Sequence, residues 1–167
     1  MNLKEIIQNQ FYTSLEMLKQ AIVSCPDALW EDKSYQNRSW HIAYHTLFFT
    51  HLYLQPAESD FVPWEKHREN QQYFGDVNER PHPNAPVYTK SEMLDYLAIC
   101  QQQVAQQLPL LDLEGESGFS WISFSKMELQ LYNIRHIQLH TGELCERLGA
   151  QGKIEIRWVG KKPDYLN

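Results

Sequence analysis

Apolar side chains recur along this chain at spacings of three and four residues, and four stretches hold that rhythm long enough to predict helices. The first runs from about Asn2 to Val23, with Leu3, Ile7, Phe11, Leu18 and Ile22 on one face. Pro26 closes it, because the residue before a proline is pushed out of helical geometry. A polar connection, DALWEDKSYQN, leads to a second helix from about Arg38 to Leu54, closed by Pro56. From Ala57 to Tyr88 the rhythm lapses at Pro63, Gly75, Pro81, Pro83 and Pro86; one short helix, Pro63 to Tyr73, fits inside with proline in its first turn. Thr89 and Glu92 form a capping box that opens a third helix, which stops before Pro109. A second loop, LLDLEGESGFSWISF, contains Gly115 and Gly118. Ser125 and Glu128 form another capping box, opening a fourth helix that ends at Gly149 or Gly152. The tail KIEIRWVGKKPDYLN alternates without a strand partner and is expected to pack through Ile154, Ile156 and Trp158.

These elements predict an all-α fold in one domain, residues 1–167. The expected architecture is a four-helix bundle with a long crossover connection between helices 2 and 3 and the C-terminal tail packed on the bundle.

Composition narrows the function classes. The net charge is −6 and no block of Lys and Arg occurs, which argues against a nucleic-acid surface. No apolar run reaches membrane-spanning length, and MNLKEIIQNQF lacks the apolar core of a signal peptide, so a soluble, cytoplasmic protein is expected. The three cysteines, Cys25, Cys100 and Cys145, include no Cys-x-x-Cys pair and are expected as small core residues without disulfides.

The histidines change the picture most. His136 and His140 lie four residues apart in the fourth helix, on the face that carries Leu129, Asn133 and Leu144; Glu128, Arg135 and Glu146 lie opposite. In the second helix His41 and His45 share a face with Ile42, Phe48, Phe49 and Leu52, while His51 falls on another side with Trp40 and Tyr44. Burying two imidazoles side by side costs desolvation and leaves several nitrogens in need of partners, which a metal ion satisfies directly. His45 is the natural third ligand. Three neutral imidazoles, about 2.0–2.1 Å from a zinc ion, would leave a fourth position open. His41 taken alone is expected as a hydrogen-bonded core residue. Glu143, three residues after His140, is a candidate second-layer partner or catalytic base, against the plainer expectation of an ion pair with Arg147. Trp40, Tyr44 and Trp121 are expected to serve packing. His-Glu-x-x-His and Gly-x-Ser-x-Gly are absent, and no predicted helix carries Glu-x-x-His, so zincin protease, serine hydrolase and di-iron chemistry lack support.

Two segments carry a family likeness: Trp40-His41-Ile42-Ala43-Tyr44-His45 and Asn133-Ile134-Arg135-His136-Ile137-Gln138-Leu139-His140-Thr141-Gly142-Glu143. With the helix order, they make the chain resemble the DinB-like (DinB/YfiT) superfamily of metal-binding four-helix bundles. The resemblance implies that His45, His136 and His140 hold a divalent metal ion, zinc or nickel first and iron after them. It implies a thiol-dependent S-transferase, with a low-molecular-weight thiol as co-substrate, or a hydrolase acting on a small molecule. A homodimer is implied as well. Family members commonly carry His-Arg-Gly-Gln where this chain reads His140-Thr141-Gly142-Glu143, so the glycine is kept while the basic and amide groups are not. The alternative is a non-catalytic, stress-associated bundle that holds a metal or small ligand, its site closed by a fourth ligand such as His41.

Overall fold

A computed structural model describes residues 2–74 and 86–166. It is all-helical, and among the described residues the β pairing is limited to one isolated bridge between Glu116 and Ser125. The helices are α1 (Leu3–Ser24), α2 (Asp27–Trp30), α3 (Ser39–Tyr53), α4 (Lys90–Gln107) and α5 (Lys126–Arg147). Short 3-10 turns cover Glu58–Asp60 and Asp164–Leu166, and a π-helical turn, Leu148–Gly152, follows α5.

Side chains cap the N-termini of α1, α4 and α5. Asn2 accepts from the Glu5 amide at the start of α1. Thr89 and Glu92 make the full reciprocal capping box of α4, Glu92 N donating to Thr89 Oγ1 at 3.2 Å and Thr89 N donating to Glu92 Oε2 at 2.9 Å. At α5 the Ser125 hydroxyl accepts from the Glu128 amide, while the Ser125 backbone pairs with Glu116. Beyond α5 the chain leaves helical geometry at Lys153, whose φ of 51° lies in the left-handed region.

Helix α5 packs against α3 and α1, and α4 packs against the same two helices. Phe11, Leu15, Leu18 and Ile22 of α1 meet Leu47 of α3, Leu97 and Val104 of α4, and Leu129, Ile137 and Leu144 of α5 in one buried core. Each such side chain contributes about 1.5–3 kcal/mol of burial free energy before the entropy cost of ordering it.

The connection after α1, expected as a polar one, contains α2, because Leu29 and Trp30 are buried there. Trp30 Nε1 donates to Tyr88 O at 2.8 Å, and Ser39 Oγ to Leu29 O at 3.0 Å.

Helix α3 is covered on nearly every side, so His51, Trp40 and Tyr44, expected away from its interior face, are buried too. The covering is the segment between α3 and α4. Trp64 stacks on Tyr96, Tyr88 stacks on Tyr44, Phe61 meets His51 and Phe48 edge-on, and Phe74 lies over His45. The short helix expected from Pro63 to Tyr73 does not form; the segment is a series of turns. Its carbonyls are engaged elsewhere: Lys66 O accepts from Tyr88 Oη, and Gln71 O and Gln72 O accept from histidines of α3. Asn70, at φ 65°, also breaks right-handed helical geometry. Gly75, Pro81 and Pro83 lie outside the described residues.

The loop before α5 is fastened to the end of α3. Lys126 Nζ donates to Gln55 O and Pro56 O just past the C-terminus of α3, where a cation is favoured, and to Ser117 O of the loop itself, so all three ammonium hydrogens are used. Trp121, expected in the packing, is 54% exposed and meets the edge of Phe119. The tail runs back along α1, with Arg157 N donating to Gln20 and Lys162 over the Tyr12 ring. Ile154 and Ile156 pack on the core as expected, but Trp158 is 75% exposed, because the alternation breaks after Ile156: Arg157 and Trp158 are both exposed and Val159 is the next to turn inward. Among the described residues no helix is long and apolar enough to cross a membrane.

Candidate metal centre

Three side chains predicted from spacing come together where α3 faces α5. His45 Nε2 lies 3.0 Å from His136 Nε2, and His140 Nε2 lies 3.1 Å from the same atom. All three candidate ligand atoms fall within 4.8 Å of one another. His136 and His140 meet because one helical turn separates them. His45 joins them because α3 and α5 pack along the faces that carry these residues.

The second nitrogen of each ring decides what the first can do. His45 Nδ1 lies 2.6 Å from Gln72 O, and a carbonyl only accepts, so the proton of neutral His45 sits on Nδ1. His140 Nδ1 lies 2.7 Å from Glu143 Oε2, an acceptor when ionised, which places a proton on that Nδ1 as well. Both Nε2 atoms therefore present lone pairs toward His136. With neutral rings, His136 has one Nε2 proton at most, and it cannot serve as a full hydrogen bond to both neighbours. His136 Nδ1 is itself buried without a hydrogen-bond partner.

Burial keeps His45 and His136 neutral. It pushes His45 down to about 3, with His136 and His140 adding to the effect and the Gln72 hydrogen bond opposing it. Burial likewise lowers His136 to about 4. The hydrogen bond from His140 holds the Glu143 carboxyl below its ordinary range. Glu143 thus meets His140 as expected. Arg147, the alternative partner for Glu143, sends Nη1 to Asn37 O at 2.8 Å.

The donor set fits a divalent cation. Nitrogen ligands of a tetrahedral zinc ion at about 2.0–2.1 Å stand roughly 3.3–3.4 Å apart, close to the two separations seen here. A cation would accept all three lone pairs that the rings cannot satisfy among themselves. Two of the three imidazoles already carry the outer hydrogen bond that metal-ligating histidines commonly make.

His41 stays outside this cluster. It is 3% exposed, and its Nε2 donates to Gln71 O at 2.7 Å, as expected of a satisfied core histidine. Aromatic rings surround the three imidazoles: Phe74 stacks on His45 with centroids 3.8 Å apart, Phe49 lies 4.8 Å from His45, and Tyr132 is parallel to His136. Phe49 was legible on the His45 face. Gln71, Gln72 and Phe74 were not, because a backbone carbonyl leaves no residue signature and Phe74 belongs to a segment without periodicity.

No family model, no curated protein and no solved structure matches this chain.

Proposed function

We propose that His45, His136 and His140 are the ligands of a divalent metal ion in a metal-dependent enzyme of the DinB-like type, a thiol-dependent S-transferase or a hydrolase. In this reading α1, α3, α4 and α5 are the helices of a four-helix bundle, and Ala57–Tyr88 is its crossover. The observation that carries the proposal is the convergence of three Nε2 atoms, two of which hold lone pairs because their other nitrogens donate to Gln72 O and Glu143. A cation held there, zinc or nickel first and iron after them, would supply Lewis acidity and lower the pKa of a thiol or water reaching it.

The chain's own groups do the positioning. Gln72 O fixes the His45 ring, and Glu143 fixes the His140 ring; with Oε2 on His140, Glu143 is better supported as an orienting residue than as a base. Phe49 and Phe74 shield the imidazoles with apolar surface. His41 is committed to Gln71 O, which supports a site with three protein ligands rather than four.

The test is to load the protein with zinc or nickel and supply low-molecular-weight thiols with an electrophilic acceptor, alongside ester and amide substrates. Turnover that disappears in His136→Ala, with helix content retained, is expected. Stoichiometric metal without turnover on any substrate would replace the enzyme with the non-catalytic, metal-holding bundle.

A further inference from the structure

Two histidines one turn apart on α3 donate to two consecutive carbonyls of the segment that crosses it. His41 Nε2 reaches Gln71 O at 2.7 Å, and His45 Nδ1 reaches Gln72 O at 2.6 Å. Adjacent carbonyls of an extended chain point to opposite sides, so both can face one helix only in a turn. Asn70, at φ 65° in a left-handed conformation that Asn adopts more readily than most residues, lies in the turn just before, where Gln71 N donates to Arg68 O at 3.2 Å, and so sets the direction in which the chain enters the strap. Phe74 bridges the same pair, edge-on to His41 at 5.1 Å and stacked on His45 at 3.8 Å. Gln71 and Gln72 are buried, so this strap is seated in the molecule rather than laid across its surface.

A buried imidazole that ligates nothing is costly, and an apolar residue would fill the space at position 41 more cheaply. What the imidazole adds is a donor for Gln71 O. We propose that His41 is a positioning residue of the three-imidazole site, acting through the strap: it seats Gln71, which places the next carbonyl, Gln72 O, where it fixes the His45 tautomer with Nε2 free for the metal. The proposal rests on the reading of His45, His136 and His140 as metal ligands. It has a reciprocal consequence: a cation that holds His45 in this tautomer strengthens the bond to Gln72 O and tightens the strap.

The experiment measures zinc affinity by competition with a chromogenic chelator, and amide exchange over Gln71–Phe74 with and without zinc. Wild type is compared with His41→Phe, which keeps volume without a donor, and His41→Gln, whose amide can still reach Gln71 O. His41→Phe is expected to bind zinc about 10- to 100-fold more weakly and to exchange faster across the strap, and His41→Gln to recover most of both. Asn70→Val, which strains the turn without touching α3, is expected to give the same loss, while Asn70→Gly keeps wild-type affinity; this pair decides the matter should His41→Phe fail to fold. Wild-type zinc affinity in folded His41→Phe, or in Asn70→Val where His41→Phe does not fold, would overturn the proposal alone. Failure of the wild-type protein to bind zinc would overturn the metal reading on which it rests.

Discussion

Two imidazoles of the cluster, His45 and His140, are governed by what the far nitrogen touches. Glu143 holds the His140 Nδ1 proton with a carboxylate oxygen 2.7 Å away, and that charge makes the ring a better electron donor at Nε2. Glu143→Gln keeps an acceptor without the charge and is expected to weaken zinc binding several-fold; Glu143→Ala removes the acceptor and is expected to cost about 10-fold or more. Competition with a chelator of known affinity checks both, and equal affinities in all three proteins would show that Glu143 is a bystander. At this scale the sequence was informative wherever geometry is local. His136 and His140 share a face because of helical pitch, and Glu143 lies one turn further on. The outer partner of His45 is a main-chain oxygen, identical in every residue type, so no reading of side chains could have named it.

Among the elements, helix ends were legible where a side chain caps them, as Asn2, Thr89 and Ser125 do. The segment after α3 was not. Proline at position 63 suggested a helix start, yet tertiary partners drew the carbonyls of Lys66, Gln71 and Gln72 away from helical bonding. The same segment helps explain why α3 has no polar face: its Tyr88 and Phe74, with Tyr96 of α4 and Tyr132 of α5, enclose the helix in aromatic rings. The loop before α5 depends on two residues. Gly118 has φ 83°, and a Cβ there would collide with Pro56 O. Gly118→Ala is therefore expected to destabilise the fold by about 2 kcal/mol or more, from backbone strain and the clash together. Lys126→Met strips three carbonyls of their donor and is expected to cost about 2–4 kcal/mol. Urea denaturation checks both variants; unchanged midpoints would mean that the loop is not fastened as described.

Over the whole molecule, the all-helical class followed from one periodicity, and the packing of α3 on α5 turned two separate histidine pairs into one cluster of three with His41 left over. Buried neutral histidines also tie stability to pH. Burial depresses His45 to about 3 and His51 and His136 to about 4, whereas in the unfolded chain each titrates near its ordinary value of 6.5. Between those limits the unfolded state binds more protons, so stability falls as pH drops from about 6.5 toward about 4. Metal-free protein is expected to show urea midpoints that decline across this window, with a shallower decline in His51→Phe. A flat profile would mean that these rings are accessible to protons in the folded state. The most direct measurement is metal content by mass spectrometry after zinc reconstitution, for the wild type beside His45→Ala, His136→Ala and His140→Ala, with helix content followed by circular dichroism. About one zinc ion per wild-type chain, lost from all three variants while their helices persist, is the expected result. A wild-type chain that takes up no metal, with variants that fold as it does, would contradict the metal centre and leave the three histidines as core residues.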